Sequence, residues 1–477
     1  MNTGIIIVQG LLLIPLYLYY LGAHTYGLWL ASGGILGMLA LMNFGISSLV
    51  IQRISHAYAQ KNLVQTGAYF INGAVLYLAI CLLYGAAGLF VSHWIADILN
   101  ITGHDAELLR ECFQVAVLAM VIGILNECLR SFSGALLRPM IPAVTMAMGR
   151  ILGIGVIVWM LLNDFGLWSI PVGLLVSEGV IFSVNLLYAL ALYQKLEVNM
   201  RLDRDIIKGY LRTSPSLLMA RVGNAVSKES QPLLITIFLN PEMTTAYMVS
   251  RRAADIVLQL LNVIVGSIMG SFSHLAGSDD RDKTKKVVKA LVVISFSLGA
   301  IGFATYVAAN HAFVSIWAGE SFVLDQGVIL FIALGFFART FRGLLGQMLY
   351  GLGDFFYPSM VIFLEGVLGL VLAIGLLSVL GVIGVPVAFM LSCVVAIVVL
   401  GFFLRTKLKM NICYSAIARF LFSGTVLFGI SISMLQVEID SWVSFVLYLI
   451  IVLASAMVMF ILMNWTRCRE IYRSIVT

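Results

Sequence analysis

Apolar runs of eighteen or more residues recur along the whole of this 477-residue chain, and that repetition constrains the fold more than any motif. A run of that length with few charges spans the hydrocarbon of a bilayer as a helix. Inside lipid only helices and closed barrels satisfy their own backbone polar groups. With 61% hydrophobic residues, 11% charged and a mean hydropathy of +1.03, the chain is neither a soluble globular domain nor a disordered one. The pattern predicts an all-α polytopic membrane protein.

Fourteen spans are expected, near 4–21, 26–52, 68–95, 112–130, 142–163, 168–193, 213–239, 245–275, 289–313, 325–350, 357–380, 385–404, 418–435 and 442–464. Alternate loops divide the bases very unevenly. One side takes twenty-one Lys and Arg residues, from Arg53 and Lys61 to Arg469 and Arg473, and the other only Arg110. The positive-inside bias then places both termini in the cytoplasm. It also accounts for the net charge of +6 without a nucleic-acid partner. Trp94, Trp168, Trp317 and Trp442 fall at outer span ends, as an interfacial belt would.

Residues 134–186 and 346–400 echo one another at an offset of about 215 residues, which is six spans. Each stretch opens a span with proline (Pro142, Pro358) and makes a G-x-x-x-x-P turn, Gly166 to Pro171 and Gly381 to Pro386. A six-span offset gives two halves of like orientation, a parallel repeat. The expected organisation is a first lobe at 1–193, a basic cytoplasmic linker at 194–212, a second lobe at 213–404, and two further helices with a basic tail at 405–477. The linker reads as amphipathic, with Ile206, Ile207, Tyr210 and Leu211 on one face. Against its repeat partner the first span looks short at its cytoplasmic end. It lacks a basic region and a cleavage site, so it reads as a retained span.

Seven bases lie inside the apolar spans: Arg150, Arg221, Lys228, Arg251, Arg252, Arg339 and Arg342. Each costs about 2.5–3.5 kcal/mol at a bilayer centre, so they must meet counter-ions or a wet cavity. Arg339 and Arg342 share one face of the tenth span with Gly335 and Gly346, and Arg221 and Lys228 share a face of the seventh. Guanidinium forks match phosphate oxygens bidentately. A cavity for an anionic head group is therefore expected, lined by Arg339, Arg342, Arg221, Lys228, Arg251 and Arg252. Ion pairing is the other use of such groups. Arg150 with Glu178 is expected as a structural pair on consecutive antiparallel spans. Arg221 or Lys228 can pair with Glu229, and Arg251 with Asp255. Asp255, Glu229 and Glu365 are candidates for coupling to a cation, H+ or Na+.

Enzymatic readings find little support. The six histidines form no H-x-x-x-H or H-E-x-x-H pair, and no G-x-x-x-x-G-K-[ST] loop is present. The six cysteines are scattered and read as buried thiols. No outer loop exceeds about sixteen residues, so no extramembrane catalytic domain, no cofactor and no metal site are expected.

Tyr20-Leu21-Gly22, Tyr26-Gly27-Leu28-Trp29 and Asn43-Phe44-Gly45-Ile46, then Ala246-Tyr247 through Arg252 and Gly381 to Pro386, carry a resemblance in their order. The chain resembles the bacterial polysaccharide flippases of the multidrug, oligosaccharidyl-lipid and polysaccharide exporter superfamily. The resemblance covers nearly the whole chain. It implies transfer of a polyprenyl-pyrophosphate-linked oligosaccharide, such as an O-antigen unit, from the cytoplasmic to the outer leaflet of a bacterial inner membrane. It implies alternating access around a cationic cavity, with the lipid bilayer, a polysaccharide polymerase and a chain-length regulator as partners. A cation-coupled drug exporter of the same superfamily is the alternative, for which a net acidic cavity is expected; a less specific lipid scramblase is another.

Overall fold

The computed structural model describes residues 2–43, 46–195, 202–213, 215–276, 281–408 and 441–463. The expected span at 418–435 and residues Cys413 and Cys468 lie outside the described residues. Every described element is helical: α1 (Asn2–Leu39), α2 (Ile46–Ala59), α3 (Leu63–Leu99), α4 (His104–Ala135), α5 (Met140–Leu162), α6 (Ser169–Lys195), α7 (Arg204–Thr213), α8 (Pro215–Phe238), α9 (Pro241–Ala276), α10 (Arg281–Trp317), α11 (Gln326–Gly351), α12 (Phe356–Leu380), α13 (Gly384–Leu408) and α14 (Trp442–Met463), with short 3-10 turns between some of them.

α1 is a hairpin. Gly22 takes φ 76° and ψ 167° within it, a conformation open to glycine. The Tyr17 and Tyr26 rings lie 5.3 Å apart, whereas nine residues of straight helix would separate them by about 13.5 Å. The chain reverses at Gly22, and the second span continues through a 3-10 turn at Ala40–Asn43 into α2. Thirteen of the fourteen expected spans are thus helical among the described residues. α8 carries Arg221, Lys228 and Glu229 within its apolar stretch, and α9 carries Arg251, Arg252 and Asp255.

The helix ends follow local chemistry. The Asn62 side chain accepts from the Gln65 amide and caps α3, which ends on Asn100 in the left-handed region. The Asp325 carboxylate accepts from the Gly327 amide and caps α11. The two G-x-x-x-x-P turns fold alike: Gly166 and Gly381, at φ 56° and 63°, each open a 3-10 turn. Close approach follows in both hairpins. A Cβ on Gly153 would sit 2.8 Å from the Gly173 carbonyl of α6, and one on Gly369 of α12 would sit 2.6 Å from the Phe389 ring of α13.

The chain divides into two compact units, Met1–Thr244 and Thr245–Thr477. In the first, α3 to α6 pack as neighbours and α8 lies along α1. Gly27 and Gly34 permit that contact, because a Cβ on either would run into the Pro241 or the Glu229 carbonyl. In the second, α9, α10, α11 and α13 hold an apolar core of Phe272, Leu291, Leu344, Met348, Leu349 and Leu400. The linker helix α7 docks on the first unit. Tyr210 is fully buried, its hydroxyl donates to the Tyr69 carbonyl, and the Arg53 guanidinium lies 4.6 Å from its ring centroid. Cys81, Cys112, Cys128 and Cys393 are buried free thiols. Trp94 and Trp442 are exposed as a belt requires, but Trp317 is buried and stacks on Phe313.

Candidate functional site

The second unit contains a cluster of charge inside its helices. Arg251 of α9 is 1% exposed and holds Asp255 one turn later, Nη2 to Oδ1 at 3.2 Å and Nε to Oδ1 at 3.3 Å. Its guanidinium lies 5.1 Å from the centroid of Phe336 on α11, and that of Arg339 lies 6.0 Å from the same ring. One aromatic ring thus lies near two cations. Arg342, a turn further along α11, meets Glu365 of α12 at 2.9 Å, Nε to Oε2, with both side chains buried. The distance is that of an ion pair, without the alignment of a hydrogen bond.

Arg339 differs from its neighbours. Among the described residues no carboxylate lies within ion-pair distance of it. Arg251 and Arg342 lie close enough to repel it, and Glu365 to attract it. Three guanidiniums against two carboxylates leave the cluster one positive charge in excess. A base so placed inside apolar helices is costly unless an anion reaches it.

The other candidates separate by exposure. On α8, Arg221 is exposed, and Lys228 is largely exposed while pairing with Glu229 at 3.2 Å. Arg252 is half-buried. Of the expected pairs, Lys228–Glu229 and Arg251–Asp255 form. Arg251 is too buried to line an aqueous path in this conformation, and Ser250 beside it is fully buried, its hydroxyl donating to the Phe322 carbonyl. Glu365, expected as an ion coupler, is held by Arg342.

Arg150 and Glu178 are not within ion-pair distance, but they lie close enough to attract each other. Glu178 accepts from the Asn126 amide at 2.6 Å, and the same amide donates to the Glu178 carbonyl at 3.0 Å. Nη1 of Arg150 is buried without a hydrogen-bond partner among the described residues. Matching depth on consecutive helices brings the two charges near each other, while the carboxylate takes its hydrogen bond from Asn126 on α4. Sequence reasoning missed Asn126 and Phe336. Asn126 could have been found as an amide facing an apolar span, and Phe336 as the aromatic one turn before Arg339 and Thr340.

Residues 26–323 match the profile of a family described as "Polysaccharide biosynthesis protein". No curated protein sequence matches the chain. Among solved structures, the lipid II flippase MurJ in an inward closed conformation superposes with a TM-score of 0.74 at 12% identity, over 99% of this chain and 98% of that one. A multidrug resistance MATE family transporter of the MOP superfamily, inward-facing, gives 0.67 at 14% identity, over 84% and 94%. An outward-facing MATE family transporter gives 0.61 at 15%, over 86% and 94%. The likeness establishes a shared multi-pass helical membrane fold.

Proposed function

Because the chain belongs to the polysaccharide biosynthesis protein family, we propose that it is a flippase carrying a polyprenyl-pyrophosphate-linked oligosaccharide repeat unit from the cytoplasmic to the outer leaflet. Transfer proceeds by alternating access. The observation that carries this reading is Arg339, a base within α11 that lies beside the Phe336 ring and has no carboxylate partner among the described residues. A pyrophosphate supplies the oxygens that its fork lacks. Arg221, Lys228 and Arg252 are further candidates for contact with an anion, while Arg251 and Arg342 are held by Asp255 and Glu365. The similarity to a structure named a lipid II flippase supports a lipid-linked cargo.

The same reading takes residues 1–193 and 213–404 as the lobes, with 194–212 as tether. It places the protein in a bacterial inner membrane with cytoplasmic termini, working beside a polymerase and a chain-length regulator. Asp255, Glu229 and Glu365 stay the candidates for H+ or Na+ coupling, now as ion-paired carboxylates whose release is part of the cycle. A drug exporter is the second reading, favoured only by the MATE likeness; a positive excess around Arg339 suits an anionic cargo better.

Deleting the gene tests the proposal. Lipid-linked sugar units are expected to accumulate on the cytoplasmic leaflet, with surface polysaccharide lost. Normal surface polysaccharide and no accumulation would overturn it.

A further inference from the structure

His24 stands at the reversal that Gly22 makes in α1, between Tyr20-Leu21-Gly22 and Tyr26-Gly27-Leu28-Trp29. Its Nδ1 lies 2.8 Å from Oε1 of Glu242, and its Nε2 lies 3.6 Å from Oδ2 of Asp105. The two carboxylates come from different helices, Glu242 from the first turn of α9 and Asp105 from the first turn of α4. All three side chains are about half exposed, so water reaches them. The backbones meet just beneath. Gly27 lies against the Pro241 carbonyl with no room for a Cβ, and the Thr236 and Thr244 hydroxyls, 2.7 Å apart, close the turn from α8 into α9. All of this lies within the first compact unit, on the face that carries few bases, the outer one by the positive-inside bias.

The geometry sets a chemical condition. A charged imidazolium carries N–H on both nitrogens and can donate to both carboxylates at once. A neutral imidazole carries one hydrogen, so one nitrogen must turn its lone pair toward a carboxylate. The bridge is complete only with the proton on. Imidazole is the side chain whose charge changes between about pH 5 and 8. Asp105 and Glu242 are the charged groups within ion-pair distance of His24 among the described residues. His104 and Glu107 flank Asp105 in its turn, and Tyr26 follows on α1.

We propose that His24 is a proton-binding site of the outer face, which clamps the reversal of α1 to the first turns of α4 and α9 when charged and frees the α8–α9 turn when neutral. The ligand is a proton from the outer compartment, and the effect is an opening of the outer end that follows outer pH. Glu242 suits the role. Burial works to raise its pKa, but a bond from its own backbone N–H and the His24 ring outweigh that and hold it below the usual carboxylate value. It therefore stays ionised through the range in which an imidazole titrates. The sign follows: the clamp is present while the imidazole is charged, fails as pH rises and the ring loses its proton, and fails again in acid once its carboxylates are protonated.

The test uses the full chain in liposomes, with its six cysteines replaced and spin labels at two exposed sites, Arg110→Cys on α4 and Leu239→Cys in the α8–α9 turn. Pulsed dipolar distances are read from pH 5.5 to 9.0. A short distance is expected to dominate at pH 5.5, with a longer population growing through the imidazole range. His24→Gln keeps a polar side chain but takes up no proton, and is expected to hold one distribution at every pH. A wild-type distribution that ignores pH, or a shift that survives in His24→Gln, would overturn the proposal. No substrate is needed, so the outcome is independent of the cargo assignment.

Discussion

Arg342 on α11 and Glu365 on α12 neutralise each other where both helices are buried, at 2.9 Å and with side chains 7% and 2% exposed. Removing one partner leaves an uncompensated buried charge, which costs about 3–5 kcal/mol. Glu365→Gln and Arg342→Met are each expected to lower the thermal midpoint of the purified protein sharply. The double replacement Arg342→Met with Glu365→Leu is expected to recover much of it, because apolar groups of similar volume carry no desolvation cost. Single variants with unchanged unfolding curves would remove the structural role and leave the pair only its proposed part in the cycle.

Arg339 one turn away predicts the opposite behaviour. Its replacement removes repulsion from Arg251 and Arg342, so Arg339→Gln is expected to leave the midpoint unchanged or higher while abolishing transport. Arg339→Lys restores charge without the bidentate fork and is expected to rescue only part of the activity. Surface polysaccharide, scored beside protein abundance in the membrane, separates the two effects.

Much of this arrangement was legible in the sequence. Hydropathy set the helical spans, and the like fold of the G-x-x-x-x-P turns at Gly166 and Gly381 was readable from their shared pattern. Residue chemistry found Arg251–Asp255 and Lys228–Glu229, because a local pair on one helix is fixed by spacing alone. Pairs between helices depend on packing and were less readable. Arg150 and Glu178 attract each other without reaching ion-pair distance, and the hydrogen bond to the carboxylate comes from Asn126. Arg342–Glu365 had a signal that went unused: the 215-residue offset carries Glu127 onto Arg342 and Arg150 onto Glu365, a charge-exchanged register. The His24 contacts join loops 81 and 218 residues apart in sequence, and no periodicity reports such a distance.

Asn126 anchors Glu178 with a single side-chain amide. Asn126→Leu leaves that carboxylate without its donor and is expected to destabilise the first unit by about 1–3 kcal/mol. Arg150→Met, at a guanidinium with a buried unbonded nitrogen, is expected to cost less. Thermal unfolding of the two variants side by side checks the order; equal or reversed losses would restore Arg150 as the partner of Glu178.

Gly34 is needed for the close approach of α1 and α8. Gly34→Val places two methyl groups against the Glu229 carbonyl and is expected to push the helices apart, lowering membrane abundance. Gly33→Ala, with nothing within 4 Å of its added Cβ, is the control and is expected to behave as wild type. Equal behaviour of the two variants would remove the packing account.

Reconstitution tests the central claim most directly. The purified protein in liposomes is presented with a fluorescent polyprenyl-pyrophosphate oligosaccharide on one leaflet, and its appearance on the other is followed with an impermeant quencher. The account predicts transfer well above that of protein-free liposomes, lost in Arg339→Gln and absent for a labelled phosphatidylglycerol under the same conditions. Transfer no faster than in empty liposomes, or equal transfer of both lipids with Arg339→Gln unimpaired, would contradict it.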